Sequence, residues 1–256
     1  MSFLNKFTND PLFTKIIRSS GSLLSNNTIA LGLSVIQGIM ATRLLGPAGF
    51  GLIGVVMAFA STVNSIFSFR MSELVVRYGG EYLNKDDKQN ASALIKLASL
   101  TEAFVSAFAF FVVVITASLA ENYFAKTSGT AWMFVVYAIG LLANFNTETS
   151  TGILQITDKI KLQGTINLIQ AIFTTVIIAI AFFFEGSIVT VLIAYLVGKS
   201  ILGLGLFITA QIQLNKRLDK GWFTTSISSL KNKKEIFNFA FSSNISATII
   251  KVFRES

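Results

Sequence analysis

Six apolar stretches follow one another along the chain, at about 22–42, 50–76, 91–120, 131–156, 162–184 and 187–211, with short connections between them. A bilayer core of about 30 Å takes roughly 20 helical residues to cross, so each stretch is long enough to span it. Backbone N–H and C=O groups in hydrocarbon must find partners within the protein, and continuous apolar runs of this length do so as helices. The expected fold is an all-α polytopic membrane protein. Residues 22–211 form a six-helix transmembrane bundle, preceded by a cytoplasmic or interfacial segment at 1–21. A basic interfacial linker follows at 212–235, and 236–256 begins a seventh span that stops before it is complete. The chain is therefore expected to be a fragment of a longer, two-bundle protein.

Composition narrows the chemistry. Of 256 residues, 52% are hydrophobic and only 13% charged, well below the charge content of an ordinary soluble domain. The absence of Cys and His removes thiolate nucleophiles, Ser-His-Asp triads and His-ligated metals. No catalytic residue, metal site or cofactor is assigned. The net charge of +8 comes from short clusters between apolar runs and not from one basic face, so nucleic acid is not an expected partner.

Those clusters set an expected orientation. Lys6, Lys15 and Arg18 precede the first run, Lys85 and Lys88 follow the second, and Lys159 and Lys161 follow the fourth. They alternate with connections holding only Arg43 or Lys126. By the positive-inside rule the N-terminus is cytoplasmic. The first run lacks a short apolar region with a cleavage site and reads as a retained span. In the linker, Trp222, Phe223, Ile227 and Leu230 lie among cations, a pattern suited to the interface plane and to a hinge between two bundles.

Polar side chains within the runs are the candidate site. Asn144, Glu148, Thr151 and Gln155 recur at helical spacing and predict one continuous polar stripe. Ser61, Ser65, Ser68 and Ser72 do the same beside Asn64, and the first run carries Asn26, Asn27, Ser34 and Gln37. Serines at this spacing also serve close helix packing. Lys199 lies mid-depth in the sixth run, about 18 Å from either end at 1.5 Å per residue. It is either ion-paired with Glu148 or Glu102 or lines a passage for an anionic substrate. The candidate substrate cavity therefore comprises Lys199, Glu148, Asn144, Asn64, Asn27 and Gln37. Arg70, Glu73, Arg77, Glu102 and Lys96 lie toward the inner side, as a cytoplasmic gate or as ion pairs. At 100° per residue Glu73 would bridge Arg70 and Arg77.

Three segments, ATRLLGPAGFGLIGVVMAFAS (41–61), FRMSELVVRYGGEYL (69–83) and STGILQITDKIKLQGTINLIQAI (150–172), resemble the polysaccharide-transporter family of Wzx-type flippases. These belong to the multidrug/oligosaccharidyl-lipid/polysaccharide exporter superfamily. The most specific element is the RLLGP-x-G-F-G turn, in which Gly46, Pro47, Gly49 and Gly51 suit a tight reversal between two helices. The resemblance implies two six-helix bundles and the movement of lipid-linked oligosaccharide across the bacterial cytoplasmic membrane by alternating access. It implies such a lipid as substrate, membrane lipids as surroundings, and glycan polymerase or ligase machinery as further partners. The related multidrug exporters carry a first-helix Asp beside a Pro bend. This first run has Asn26 and Asn27 instead, and no Pro between Pro11 and Pro47. A drug or ion exporter of the same fold and a membrane enzyme of glycan assembly are the alternatives; the small outer connections disfavour the enzyme.

Overall fold

The computed structural model describes residues 11–218, 221–231 and 233–239, with side chains from residue 21 onward. The first ten residues lie outside the described residues, as does the expected seventh span beyond residue 239; its first four residues, 236–239, end a helical stretch at 233–239. Among those described, every regular element is helical: α1 (Pro11–Phe67), α2 (Met71–Leu74), α3 (Gly80–Asn84), α4 (Lys88–Ala120), α5 (Ala131–Ala143), α6 (Thr147–Ile156), α7 (Lys161–Phe183) and α8 (Ile188–Arg217). Five-residue π-turns follow α2 (Val75–Gly79) and α4 (Glu121–Ala125).

Helix α1 is two arms folded at Gly46, whose φ of 72° and ψ of 168° are open essentially to glycine alone. Pro47 then starts the second arm with a preset φ and no N–H to satisfy. A Cβ on Gly38 would lie 3.7 Å from the ring tip of Phe50. Twelve residues of unbroken helix separate such positions by about 18 Å, so the arms double back on one another.

The second and fourth runs are each interrupted, which departs from the sequence expectation. The second arm of α1 ends at Phe67, and residues 68–70 leave the helix before α2 begins. Ser65 Oγ donates to the Thr62 carbonyl just upstream, the kind of side-chain bond that competes with helix continuation. In the fourth run, Asn144, Phe145 and Asn146 break the helix between α5 and α6. Asn144 Nδ2 donates to the Gly140 carbonyl at 2.7 Å, and Thr147 Oγ1 donates to the Asn144 carbonyl at 3.2 Å. Side-chain amide and hydroxyl thus satisfy backbone groups that the helix would otherwise have used.

Among the described residues, four helical segments are long and apolar enough to cross a membrane: Gly21–Phe67, Lys88–Ala125, Lys161–Phe183 and Ile188–Arg217. Their outward surfaces carry Phe104, Phe111, Ile115, Phe173 and Phe183, all largely exposed. An apolar exterior on this scale suits lipid and not water. The chain is a multi-pass helical membrane protein. Inside, α1 packs most extensively on α7, followed by α7 on α8 and α4 on α5. One apolar core joins Ile53 and Val56 to Phe134, Leu141, Ile178 and Leu192. A second gathers Leu74, Leu94, Ile95, Ile153 and Leu214 with Trp222 and Leu230 of the linker.

The linker is stitched to the ends of these helices. Lys96 Nζ donates to the Thr225 carbonyl at 3.1 Å, and Asn90 Oδ1 accepts from the Lys231 backbone N–H at 2.9 Å. Lys231 Nζ lies 3.7 Å from the Asp87 carboxylate, and Tyr78 donates its hydroxyl to Glu235 at 3.2 Å.

Candidate functional site: an amide-lined groove beside a broken helix

The first arm of α1 meets α7 closely because Gly164 has no side chain; a Cβ there would sit 2.9 Å from Leu23. That approach brings rows of amides together. Asn167 Nδ2 donates to Asn27 Oδ1 at 2.9 Å, and Gln170 Nε2 reaches Asn167 Oδ1 at 3.5 Å. With Ser34, Thr147 and Gln163 they line a groove of about 540 Å³, walled on the α8 side by Leu202 and Leu206. Gln37 sits deeper and does not line it. Its Nε2 is spent on the Ala171 carbonyl at 3.0 Å and on Thr175 Oγ1 at 2.9 Å, which fastens α1 to α7.

Gln163, Asn167 and Gln170 were not singled out in the sequence. Their spacing of four and three is the same helical stripe that drew attention to the fourth run, so the signal was present.

The break between α5 and α6 opens beside this groove, and α4 holds it. Glu102, 9% exposed, accepts from the backbone N–H groups of Glu148 at 2.8 Å and Thr149 at 2.9 Å. A carboxylate at a helix N-terminus satisfies donors that have no partner within the helix and complements the helix dipole. Asn146, itself buried, donates to the Ser99 carbonyl at 3.4 Å. Ser72 Oγ donates to the carboxylate of Glu148. The break also divides the expected stripe. Asn144 closes α5 and donates to the Lys199 carbonyl at 3.1 Å, whereas Glu148, Thr151 and Gln155 belong to α6.

Lys199 is half-buried between α5 and α8. Its ammonium lies 5.0 Å from the centre of the Tyr137 ring, and its stem runs over Gly140, where a Cβ would meet it at 3.0 Å. Among the described residues no carboxylate pairs with it. Both oxygens of Glu102 face backbone donors, so the anion that sequence depth suggested for Lys199 serves the broken helix instead. A cation over an aromatic face keeps its charge attractive to anions on the open side.

The inner-side charges do not gather into one gate. Arg70 and Glu73 pair on the exposed rim. Arg77 stands apart, 4.6 Å from the ring centre of Phe239 and 5.2 Å from that of Tyr78. The ladder through Glu73 therefore does not form. Arg70 lies in the break at 68–70, with φ −75° and ψ 66°, and so does not continue the helix that carries Glu73, and the π-turn at Val75–Gly79 further shifts the phase of Arg77. Lys96 serves the linker, with its ammonium 5.1 Å from the Phe223 ring centre. Asn64, half-buried on the second arm of α1, accepts the Ser68 N–H through its carbonyl and is not a groove wall.

Comparison with known proteins gives the fold a lineage. Inner membrane protein YghQ of Escherichia coli (strain K12) is 24% identical over 153 residues, which is 60% of this chain and 43% of that protein. The chain thus spans less than half the length of that relative. No solved structure matches it. A family model described as polysaccharide biosynthesis protein matches residues 16–256, nearly the whole sequence, and the chain belongs to that family.

Proposed function

We propose that the protein carries a lipid-linked oligosaccharide across the cytoplasmic membrane of a bacterium by alternating access. The observation that carries this reading is the groove lined by Asn27, Gln163, Asn167 and Gln170. Each amide both donates and accepts hydrogen bonds, so together they match the paired donor and acceptor character of sugar hydroxyls. Transport needs only reversible contacts of this kind and no covalent step. Lys199, which precedes the groove-lining Leu202 and Leu206 by three and seven residues on α8, supplies a cation for a pyrophosphate or an acidic sugar. The discontinuous α5–α6 pair has the form that transporters use near their binding sites.

In this reading the chain crosses the membrane six times. The arms of α1 each cross once, α5 and α6 together cross once, and α4, α7 and α8 supply the rest. Lys85 and Lys159 then face the cytoplasm. Because the chain has no native Cys, single cysteines at these positions report orientation without background. Labelling of either by a membrane-impermeant reagent added outside would overturn the assignment.

The function is tested in a strain lacking the protein. Lipid-linked oligosaccharide should accumulate on the inner leaflet, with delivery restored by the native gene and reduced by Asn167→Ala with Gln170→Ala. Undiminished outer-leaflet delivery in the deletion strain would sink the proposal.

A further inference from the structure

A second cavity, of about 800 Å³, lies away from the groove, between α2, α4 and the linker. Its walls are almost wholly apolar, with Leu74, Leu97, Ile227 and Leu230 among the lining residues. The mouth is different in kind. Lys233 and Lys234 stand there beside Phe237, which is 72% exposed. Lys233 Nζ is held at the opening by the Ser228 carbonyl at 2.8 Å. Among the described residues neither lysine has a carboxylate partner. The nearby acids are engaged elsewhere, Asp87 with Lys231 and Glu235 with Tyr78.

An apolar hollow under two cations selects an amphiphile: a chain to fill the hollow and an anion to meet the ammonium groups. The cavity sits where the apolar helices give way to the basic linker, which is the level of lipid head groups. Basic pockets at that level attract anionic lipid, with about 1 kcal/mol for each Lys near the surface. We infer that this cavity is a binding site for an anionic glycerophospholipid, with one acyl chain inside and the phosphate at Lys233 and Lys234. The lipid would fasten the linker to α2 and α4 and make its position responsive to membrane composition. The inference rests on the chain's membrane setting and cavity, not on the transport reading.

The test uses the protein carrying Trp132→Phe, Trp222→Phe and Phe237→Trp, which leaves one tryptophan in these 256 residues, at position 237, and the same protein with Phe237 retained serves as the blank. Each is reconstituted in phosphatidylcholine vesicles containing increasing fractions of dibrominated phosphatidylglycerol or dibrominated phosphatidylcholine. The expected result is saturable quenching at low fractions of the anionic lipid only. Lys233→Gln with Lys234→Gln should weaken it about 25-fold, from about 1 kcal/mol per lysine, while Arg at both positions retains it. If Trp222→Phe proves unstable, Trp222 is kept and the same titration of the protein with Phe237 retained is subtracted. Equal quenching by the two lipids, or an unchanged affinity in the double Gln variant, would overturn the site. Displacement of the bromolipid by a polyprenyl phosphate at lower concentration would assign the cavity to a substrate anchor and overturn the phospholipid.

Discussion

At Gly203 α8 lies against the end of α5 at the helix break, and replacing it by alanine is a direct test of that architecture. A Cβ at this position would lie 2.3 Å from the carbonyl oxygen of Ala143 and 2.9 Å from Asn144 Cα. Real contacts of this kind begin near 3.0 Å, so α8 or the end of α5 must move by about 0.7 Å. No side chain can swing away to absorb this, because the obstruction is backbone. Overpacking of this sort costs about 1–3 kcal/mol. By the scaling for domains of similar size, the unfolding midpoint should fall by about 2–12 °C. Gly54→Ala is the control, since nothing lies within 4 Å of its Cβ position and alanine favours helix by about 0.5–1 kcal/mol. Thermal unfolding of purified protein in detergent, followed by the monomer peak in size-exclusion chromatography, measures both. A Gly203→Ala midpoint equal to or above that of Gly54→Ala would refute the close approach. Displacement there also strains the Asn144–Lys199 bond one turn away, so transport should fall with stability.

The carboxylate of Glu102 holds the start of α6, so Glu102→Gln should destabilise by about 1–3 kcal/mol, one buried backbone donor being left without an equivalent acceptor. An unchanged midpoint in the same assay would contradict that capping role. Lys199→Ala should reduce transport well below Lys199→Arg, whereas equal activity of the two would return Lys199 to a packing role. The backbone N–H of Asn90, then its side-chain amide, hold the Asp87 carboxyl below its usual range, with Lys231 adding to the effect. A depressed carboxylate stabilises fully above its unfolded value of about 3.9 and loses that contribution as pH falls through the folded value. The protection of amides at the start of α4 against hydrogen exchange, taken relative to their intrinsic rates, should therefore fall below about pH 4 in native protein, and Asp87→Asn should abolish the change; identical protection profiles for the two proteins would dismiss it.

The groove and the broken helix differ in how far a sequence reveals them. Asn27 stood out as an amide in an apolar run, and Gln163, Asn167 and Gln170 share a readable periodicity. Which run they would face was not readable, because Gly164 sets that pairing through a contact 141 residues away in the chain, with Leu23. Extrapolating one helical period across residues 131–156 failed at Asn144–Asn146, where side-chain bonds to the backbone replaced three residues of helix. The same assumption misplaced the ladder of Arg70, Glu73 and Arg77, because Arg70 lies in the break at 68–70 and Arg77 within a π-turn.

Some properties belong to the sequence by itself. Long apolar runs, few charges and the absence of Cys and His dictate a helical membrane protein without thiolate or histidine chemistry, because backbone satisfaction in lipid permits few other forms. The Gly46–Pro47 reversal is equally local, since it rests on the allowed dihedrals of two residues. Partnership was decided only in three dimensions. Glu102 caps α6 and does not pair with Lys199, and Lys96 bonds to the Thr225 carbonyl of the linker. Hydrogen bonds and ion pairs act over a few ångströms, and which groups come that close depends on how distant helices pack.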